Sequence, residues 1–333
     1  MTGEQVFSCK APARGVICEQ NAFIEYFFAE INMPRRLSTY LKETYGEKIY
    51  RLSLSSGCTC PNRDGSIVTP DGKKLTKGCT FCSEQGSGEF AAKIAPIDVQ
   101  IEDAKARIKQ KTGAKSFIAY FQSYTNTYGD VERLSRLYNE TVDRDDIKIL
   151  SLGTRPDCLG DDVMDMLAAL NRKKPVWVEL GLQTIHEETA RKVDRGYELK
   201  VFEDAYRKLK EAGITVIVHI ILGLPGETKD DMLETVRYLA GLEPVLDGIK
   251  IQNLQILKGT SVYDDYMREP FYVMSMEEYT DLVSECIALL PKETVVHRMT
   301  GDGPRRLLEA PLWSLDKKRV LNMLNKKCND FFS

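Results

Sequence analysis

The sequence predicts an α/β fold, a partial (β/α)6 barrel of the TIM type with an N-terminal helical extension and a C-terminal α/β extension. Three observations carry this expectation. From Lys48 onward, short β-rich runs alternate with helical patterns, as βα units around a parallel sheet require. Runs such as "VIVHIILGL" are apolar almost throughout, so both faces of the sheet must be covered. Six such runs follow one another in the same order, which favours a curled barrel over an open sheet.

The first run is "KIYRLSLS" (48–55), followed by "SFIAYF" (116–121), "IKILSLG" (147–153), "VWVELGLQ" (176–183), "ITVIVHIILGLP" (214–225) and "GIKIQNLQIL" (248–257). Between them the apolar period lengthens toward 3.6. Ile97, Ile101, Ala104 and Ile108 share one helical face, as do Leu159, Val163, Met166, Leu167 and Leu170. Thr228 and Asp231 in "ETKDDMLETV" are spaced to cap the helix that starts there. Residues 1–45 carry no β signal and end in a helical segment, "RLSTYLKETYG". Residues 46–258 hold the barrel. In 259–333 the alternation loosens into a helix at "SMEEYTDLVSECIALL", a short strand at "TVVHRM" and a closing helix at "KKRVLNMLNKKCNDFF".

A length of 333 residues suits one barrel, and a formal charge of -3 gives no global pull toward nucleic acid. A small-molecule substrate is favoured. No apolar run long enough to span a membrane and no secretory leader pattern occur, so a cytoplasmic location is expected. In that reducing compartment nine cysteines indicate metal binding or catalysis rather than a disulfide framework.

Four of them fall in "SLSSGCTCPNRDGSIVTPDGKKLTKGCTFCSE": Cys58, Cys60, Cys79 and Cys82. Thiolates in this arrangement bind zinc or an iron-sulfur cluster. A zinc ribbon would have to use a C-x-C pair, where ribbons usually place two to four residues between ligands. The array also follows the first strand directly, at the C-terminal mouth where parallel barrels collect catalytic groups.

At this point the chain resembles the radical S-adenosylmethionine (SAM) enzymes. The pieces are Cys60-Pro-Asn-Arg-Asp-Gly65, Gly78-Cys-Thr-Phe-Cys-Ser83 and Gly86-Ser-Gly88. They resemble a bacterial branch related to the radical domain of the Elongator catalytic subunit and to oxygen-independent coproporphyrinogen oxidase. The resemblance runs from about Tyr45 to the C-terminus and implies a [4Fe-4S] cluster on Cys60, Cys79 and Cys82. It also implies SAM bound at the free iron, its reductive cleavage to a 5'-deoxyadenosyl radical, and hydrogen abstraction from the substrate. Eighteen residues separate Cys60 from Cys79, where the commonest pattern has three, and the polar "VTPDGKK" lies between. Cys58 is left as a spectator thiol or an alternative ligand.

The resemblance also implies where SAM sits. Gln122, Ser123 and Tyr124, after the second strand, would meet its methionine end, and Thr154 and Arg155 after the third would reach a carboxylate or ribose. An Arg155 to Asp157 turn pair is the plainer reading. Gln183 and Arg195 reproduce a twelve-residue interval by which the coproporphyrinogen oxidase relatives hold SAM. Ile221 and Gly223, in "HIILGLPGET", resemble the adenine-contacting segment. For the substrate there remain Asn62, Gln252, Gln255, His297 and Arg298, with Glu179 pointing inward only if a partner is present and His219 expected in the core. The C-terminal lysines are expected to form a solvated face.

Three functions are compatible with these residues. One is a radical SAM enzyme acting on a small metabolite, within a branch associated with queuine lyase and so with 7-deazaguanine salvage. Another is a radical SAM enzyme that modifies tRNA, and the third is a non-catalytic zinc-binding protein. Both enzyme readings need a reducing partner such as flavodoxin or ferredoxin.

Overall fold

Seven parallel strands form one curled half-barrel sheet. This is a computed structural model in which residues 33–69, 72–86, 88–109 and 113–332 are described. Most of the expected extension over 1–45, and Ser87 of the Gly86-Ser-Gly88 motif, lie outside the described residues. The barrel strands are β1 (Tyr50–Leu54), β2 (Phe117–Phe121), β3 (Ile147–Thr154), β4 (Val176–Gln183), β5 (Thr215–Leu222) and β6 (Gly248–Asn253). The run expected as one strand over 248–257 breaks at Asn253 and resumes as β7 (Ile256–Leu257), which pairs with β9 (Leu308–Ala310) in a separate ribbon. The short strand β8 (Val295–Arg298) pairs in parallel with β6 and so becomes the seventh strand of the barrel sheet.

Helix α1 (Leu37–Tyr45) precedes β1 and ends at Gly46, whose left-handed φ of 71° lets its N–H reach the Lys42 carbonyl. The crossover helices are α2 (Ile97–Lys109), α3 (Val131–Val142), α4 (Asp161–Asn171), α5 (Glu187–Lys192), α6 (Leu199–Glu211) and α7 (Lys229–Ala240). The capping box expected at Thr228 and Asp231 is present in full at the start of α7. Helices α8 (Ser261–Arg268), α9 (Met276–Leu289) and α10 (Lys317–Phe332) complete the chain. In α10, Val320, Leu324 and Cys328 recur at helical spacing and are buried, while Lys317, Lys318, Arg319 and Lys326 are exposed. Among the described residues no helix is long and apolar enough to cross a membrane.

The two faces of the sheet differ, and the difference positions the site. On the convex face, Leu150, Leu152, Val178, Leu180, Val216, Val218, Ile249 and Ile251 join the helices in one large apolar core. The concave face is layered, because side chains on one face recur every two residues. Ile118, Ile149, Trp177 and Ile217 form its lowest layer and pack against Leu41, Leu37, Tyr40 and Tyr45 at the foot of the barrel. Two residues further along the same strands come Tyr120, Ser151, Glu179 and His219, with Lys250 of β6 level with His219. A further step of two reaches Gln122, Gly153, Gly181, Ile221 and Gln252, which line an open cavity.

Candidate active site

The cavity at the strand C-terminal ends has a volume of about 250 Å³. Cys60, Cys79 and Cys82 line one part of it, Gln122, Tyr124, Thr154, Arg155, Gln183, Arg195 and Ile221 another, and Gln252, Gln255 and Arg298 a third. These residues come from loops and strands spread over more than two hundred positions of the chain, and the parallel topology gathers them at one mouth.

Among the described residues, Ser123, Gly223, Asn62 and His297 are the expected contacts that do not line this cavity. Ser123 is buried against Gly88. Gly223 borders a neighbouring cavity of about 430 Å³ with Met232 and Phe271. His297 stacks edge-on against Trp177 at 5.1 Å, toward the foot of the barrel.

Asn62 instead joins a clamp. Its Nδ2 donates to the carbonyls of Asp194 (2.7 Å) and Arg195 (3.2 Å) and lies 3.4 Å from the Cys79 Sγ. Arg155 completes the clamp from the other side. Its Nη1 donates to the Arg195 carbonyl at 2.8 Å, while Nε and Nη2 form the two-pronged pair with Asp157, which is the plainer reading of "LGTRPD". Arg195, 1% exposed, donates to the carbonyls of Leu182, Thr184 and Tyr197. The segment after α5 is thereby wedged between the cysteine loop and the ends of β3 and β4. Lys73, from the "VTPDGKK" stretch, adds an ion pair to Asp194 at 2.8 Å.

Gly196 sits in this wedge with φ of +82°, and a Cβ there would lie 2.6 Å from the Asn62 Oδ1. Gly196→Ala is therefore expected to cost about 1–3 kcal/mol through left-handed strain, with further loss from the displaced Asn62. Urea unfolding and iron retention measure it: unchanged stability together with unchanged iron content would show that the wedge does not support the cysteine loop.

The thiols differ sharply in surroundings. Burial pushes the Cys79 thiol up to about 12, with Cys82 and Cys60 adding to the rise and Arg155 opposing it. Cys58 points elsewhere. It is buried in the convex-face core, with the Arg133 Nη2 at 3.5 Å from its sulfur. Gln183 has a left-handed φ of 71° and a buried Oε1 with no hydrogen-bond partner. Three thiols facing one cavity, with an unpartnered amide oxygen across it, suit a thiolate-ligated cluster carrying a ligand that brings its own N–H donors.

Beneath lies a polar layer that sequence reasoning mostly missed. Glu179, fully buried, accepts hydrogen bonds from Ser151 Oγ (2.7 Å), His219 Nε2 (2.7 Å) and Lys250 Nζ, with Arg51 Nη2 at 3.6 Å. Lys250 and Arg51 also lie over the Tyr120 ring, at 4.3 and 4.7 Å. Burial alone would raise the Glu179 carboxyl, yet Lys250 and Arg51 hold it well below the usual carboxylate range. Burial, then Lys250, lowers His219 to about 4 against the pull of Glu179. His219 thus lies in the interior as expected, but as a polar wall of the cavity. The usable signal was Arg51, Glu179 and Lys250 in otherwise apolar strand runs, since a charge at a buried strand position needs a partner.

Comparison with known proteins agrees with this architecture. Residues 76–239 match the Radical SAM superfamily model and residues 246–330 the Radical_SAM C-terminal domain. The chain is 41% identical over 292 residues to the uncharacterized protein YtqA of Bacillus subtilis (strain 168), covering 87% of this chain and 88% of that one. It is 27% identical over 163 residues to Elongator complex protein 3 of Drosophila melanogaster, covering 48% of this chain and 29% of that protein. The solved Elp3 of Methanocaldococcus infernus, lacking its N-terminus, shares the fold with a TM-score of 0.59 at 18% identity, over 69% of this chain and 58% of that one. The chain therefore belongs to the radical SAM superfamily, whose enzymes carry out radical transformations with a [4Fe-4S] cluster and SAM.

Proposed function

We propose that the enzyme abstracts hydrogen from a nitrogen heterocycle of the 7-deazaguanine type, in a queuine lyase-like bond cleavage. In this reading Cys60, Cys79 and Cys82 hold the cluster. Gln122, Tyr124 and Gln183 meet the methionine end of SAM, and Ile221 lies toward its adenine. When bound, the reduced cluster and SAM supply a 5'-deoxyadenosyl radical at the cavity mouth. Arg155 and Arg195 act by holding the backbone on which these groups are mounted, since their guanidinium donors bond Asp157 and main-chain carbonyls.

The observation that carries the substrate reading is the pair of amides Gln252 and Gln255 beside Arg298, lining the same cavity as the three thiols. Gln252 Oε1 lies 3.4 Å from Arg298 Nη1, and Gln255 Nε2 is equally far from Ser314 Oγ. Both contacts are long, so each amide can turn donor or acceptor toward a purine-like edge. The test is anaerobic reconstitution, reduction by dithionite or flavodoxin, and incubation with SAM and queuine. The expected result is 5'-deoxyadenosine together with a shortened deazapurine; SAM cleavage with queuine untouched removes this substrate.

A second reading, modification of a tRNA base, draws on the sequence similarity to Elongator complex protein 3. It predicts tRNA binding that weakens steeply with salt, and base-modified tRNA as the product.

A further inference from the structure

The mouth of the cavity is assigned above, but the group on its floor is not. His219 lines the cavity from β5, and its Nε2 is 2.7 Å from Oε2 of Glu179. Glu179 is held as an acceptor by Ser151, Lys250 and Arg51, so the His219 Nε2 carries the proton and donates. In a neutral imidazole the other nitrogen is then an acceptor. Among the described residues no hydrogen bond to Nδ1 is formed. A carboxylate that fixes one nitrogen so that the other presents its lone pair to a ligand is the arrangement of an oriented base.

We propose that His219 is a catalytic base of this site, its Nδ1 accepting the proton of an N–H or O–H group on the substrate carbon that has lost hydrogen. This deepens the function proposed above and rests on it for the radical step. It narrows the substrate class to molecules that carry such a group on the reacting carbon. A carbon radical acidifies an adjacent N–H or O–H, so a modest base suffices. One proton moves from the substrate heteroatom to Nδ1, the electrons of the broken bond stay on the substrate, and the imidazolium is held by Glu179 until its proton leaves for water.

The groups around this imidazole agree with the assignment. Among the described residues, Glu179 of β4 is the anion of the layer that faces it. Lys250 of β6, Arg51 of β1 and Arg298 of β8 are the cations, and Tyr120 of β2 and His297 of β8 are further titratable groups around it. Burial, with Lys250 and Arg298 adding to it, keeps His219 unprotonated and ready to accept at neutral pH.

The chain has three histidines, which makes ¹⁵N-histidine NMR of the reconstituted enzyme direct. The signal lost in His219→Gln is expected to show a proton on Nε2 and to stay neutral down to about pH 5. A signal titrating near 6.5, or a proton on Nδ1, overturns the assignment. Diethyl pyrocarbonate tests access to the lone pair: His219 is expected to be carbethoxylated, and a His219 left unmodified while His186 reacts overturns it. His219→Gln keeps a donor to Glu179 and replaces the basic nitrogen by an amide oxygen, which accepts a hydrogen bond but does not take up a proton. With queuine as the probe, product is expected to fall by about 100-fold or more in this variant; unchanged product formation overturns the base. If wild type cleaves SAM but leaves queuine intact, the substrate reading fails, and the resonance and modification results decide the base.

Discussion

Alanine at Cys60 is expected to leave an enzyme that folds but holds no [4Fe-4S] cluster, whereas alanine at Cys58 retains it. Only Thr59 separates the two thiols, and regular extended backbone would put both on one face. Residues 55–60, however, form no regular strand and turn through Gly57 at a left-handed φ of 72°, so the two side chains end in different places. Cys60 lines the cavity with Cys79 and Cys82. Cys58 belongs to the large apolar core, near Tyr138, with Arg133 beside its sulfur. With these three thiolates as the proposed ligands, loss of one removes a cluster ligand outright. Loss of a small buried sulfur on the core side costs about 1 kcal/mol of packing and leaves the cavity untouched. Iron content after anaerobic reconstitution, with the visible absorption of the cluster, reads both variants. If the cluster survives in Cys60→Ala and is lost in Cys58→Ala, the first ligand moves by two residues.

How far the sequence disclosed this molecule depends on how local each determinant is. Strand β4 falls on 176–183 and helix α10 on 317–332, as their patterns predict, because an uninterrupted apolar run and a regular helical stripe are each set within one segment. The capping box at Thr228 is equally local. The pairing of β8 with β6 was not visible, since four residues of strand pattern do not say which edge they join. That the three thiols, Gln183 and Ile221 would line one cavity was legible through motif order along the chain. The uses of Asn62, Arg155 and Arg195 were not, because their partners are backbone carbonyls, and carbonyls carry no sequence signature. Nor was the polar layer of Arg51, Tyr120, Glu179, His219 and Lys250 visible as a unit, because its members are brought together only when the sheet curls.

That layer should dominate the response of stability to mutation and acid. In Glu179→Gln the shape is kept and the charge lost, leaving Lys250 and Arg51 facing a neutral amide, with the side chains at positions 179 and 250 fully buried. Removing one partner of a buried ion pair costs roughly 3–5 kcal/mol, which should appear as a lower urea midpoint at unchanged slope. Burial and then Arg51 push the Lys250 amine well below the ordinary lysine range, against the pull of Glu179. Adding Lys250→Met to Glu179→Gln therefore removes a stranded buried amine and should recover part of the loss, which separates lost pairing from altered shape. The wild-type pH profile checks the same network. Glu179 is depressed in the folded state, so its contribution is full above the carboxylate range and is lost as pH falls through and below it. His219 is also depressed, from 6.5 to about 4, so folding releases its proton and its contribution, on the order of 3 kcal/mol, fades as pH falls across that window. Both effects have the same sign, and stability should decline from neutrality into acid, with the decline beginning near pH 6.5. In His219→Gln the part of the decline between pH 6.5 and 4 should shrink, because no imidazole remains to be kept neutral. An acid profile unchanged by His219→Gln, or a Glu179→Gln cost below about 1 kcal/mol, would mean that this layer is hydrated in solution and that the carboxylate is not the anchor of the cavity floor.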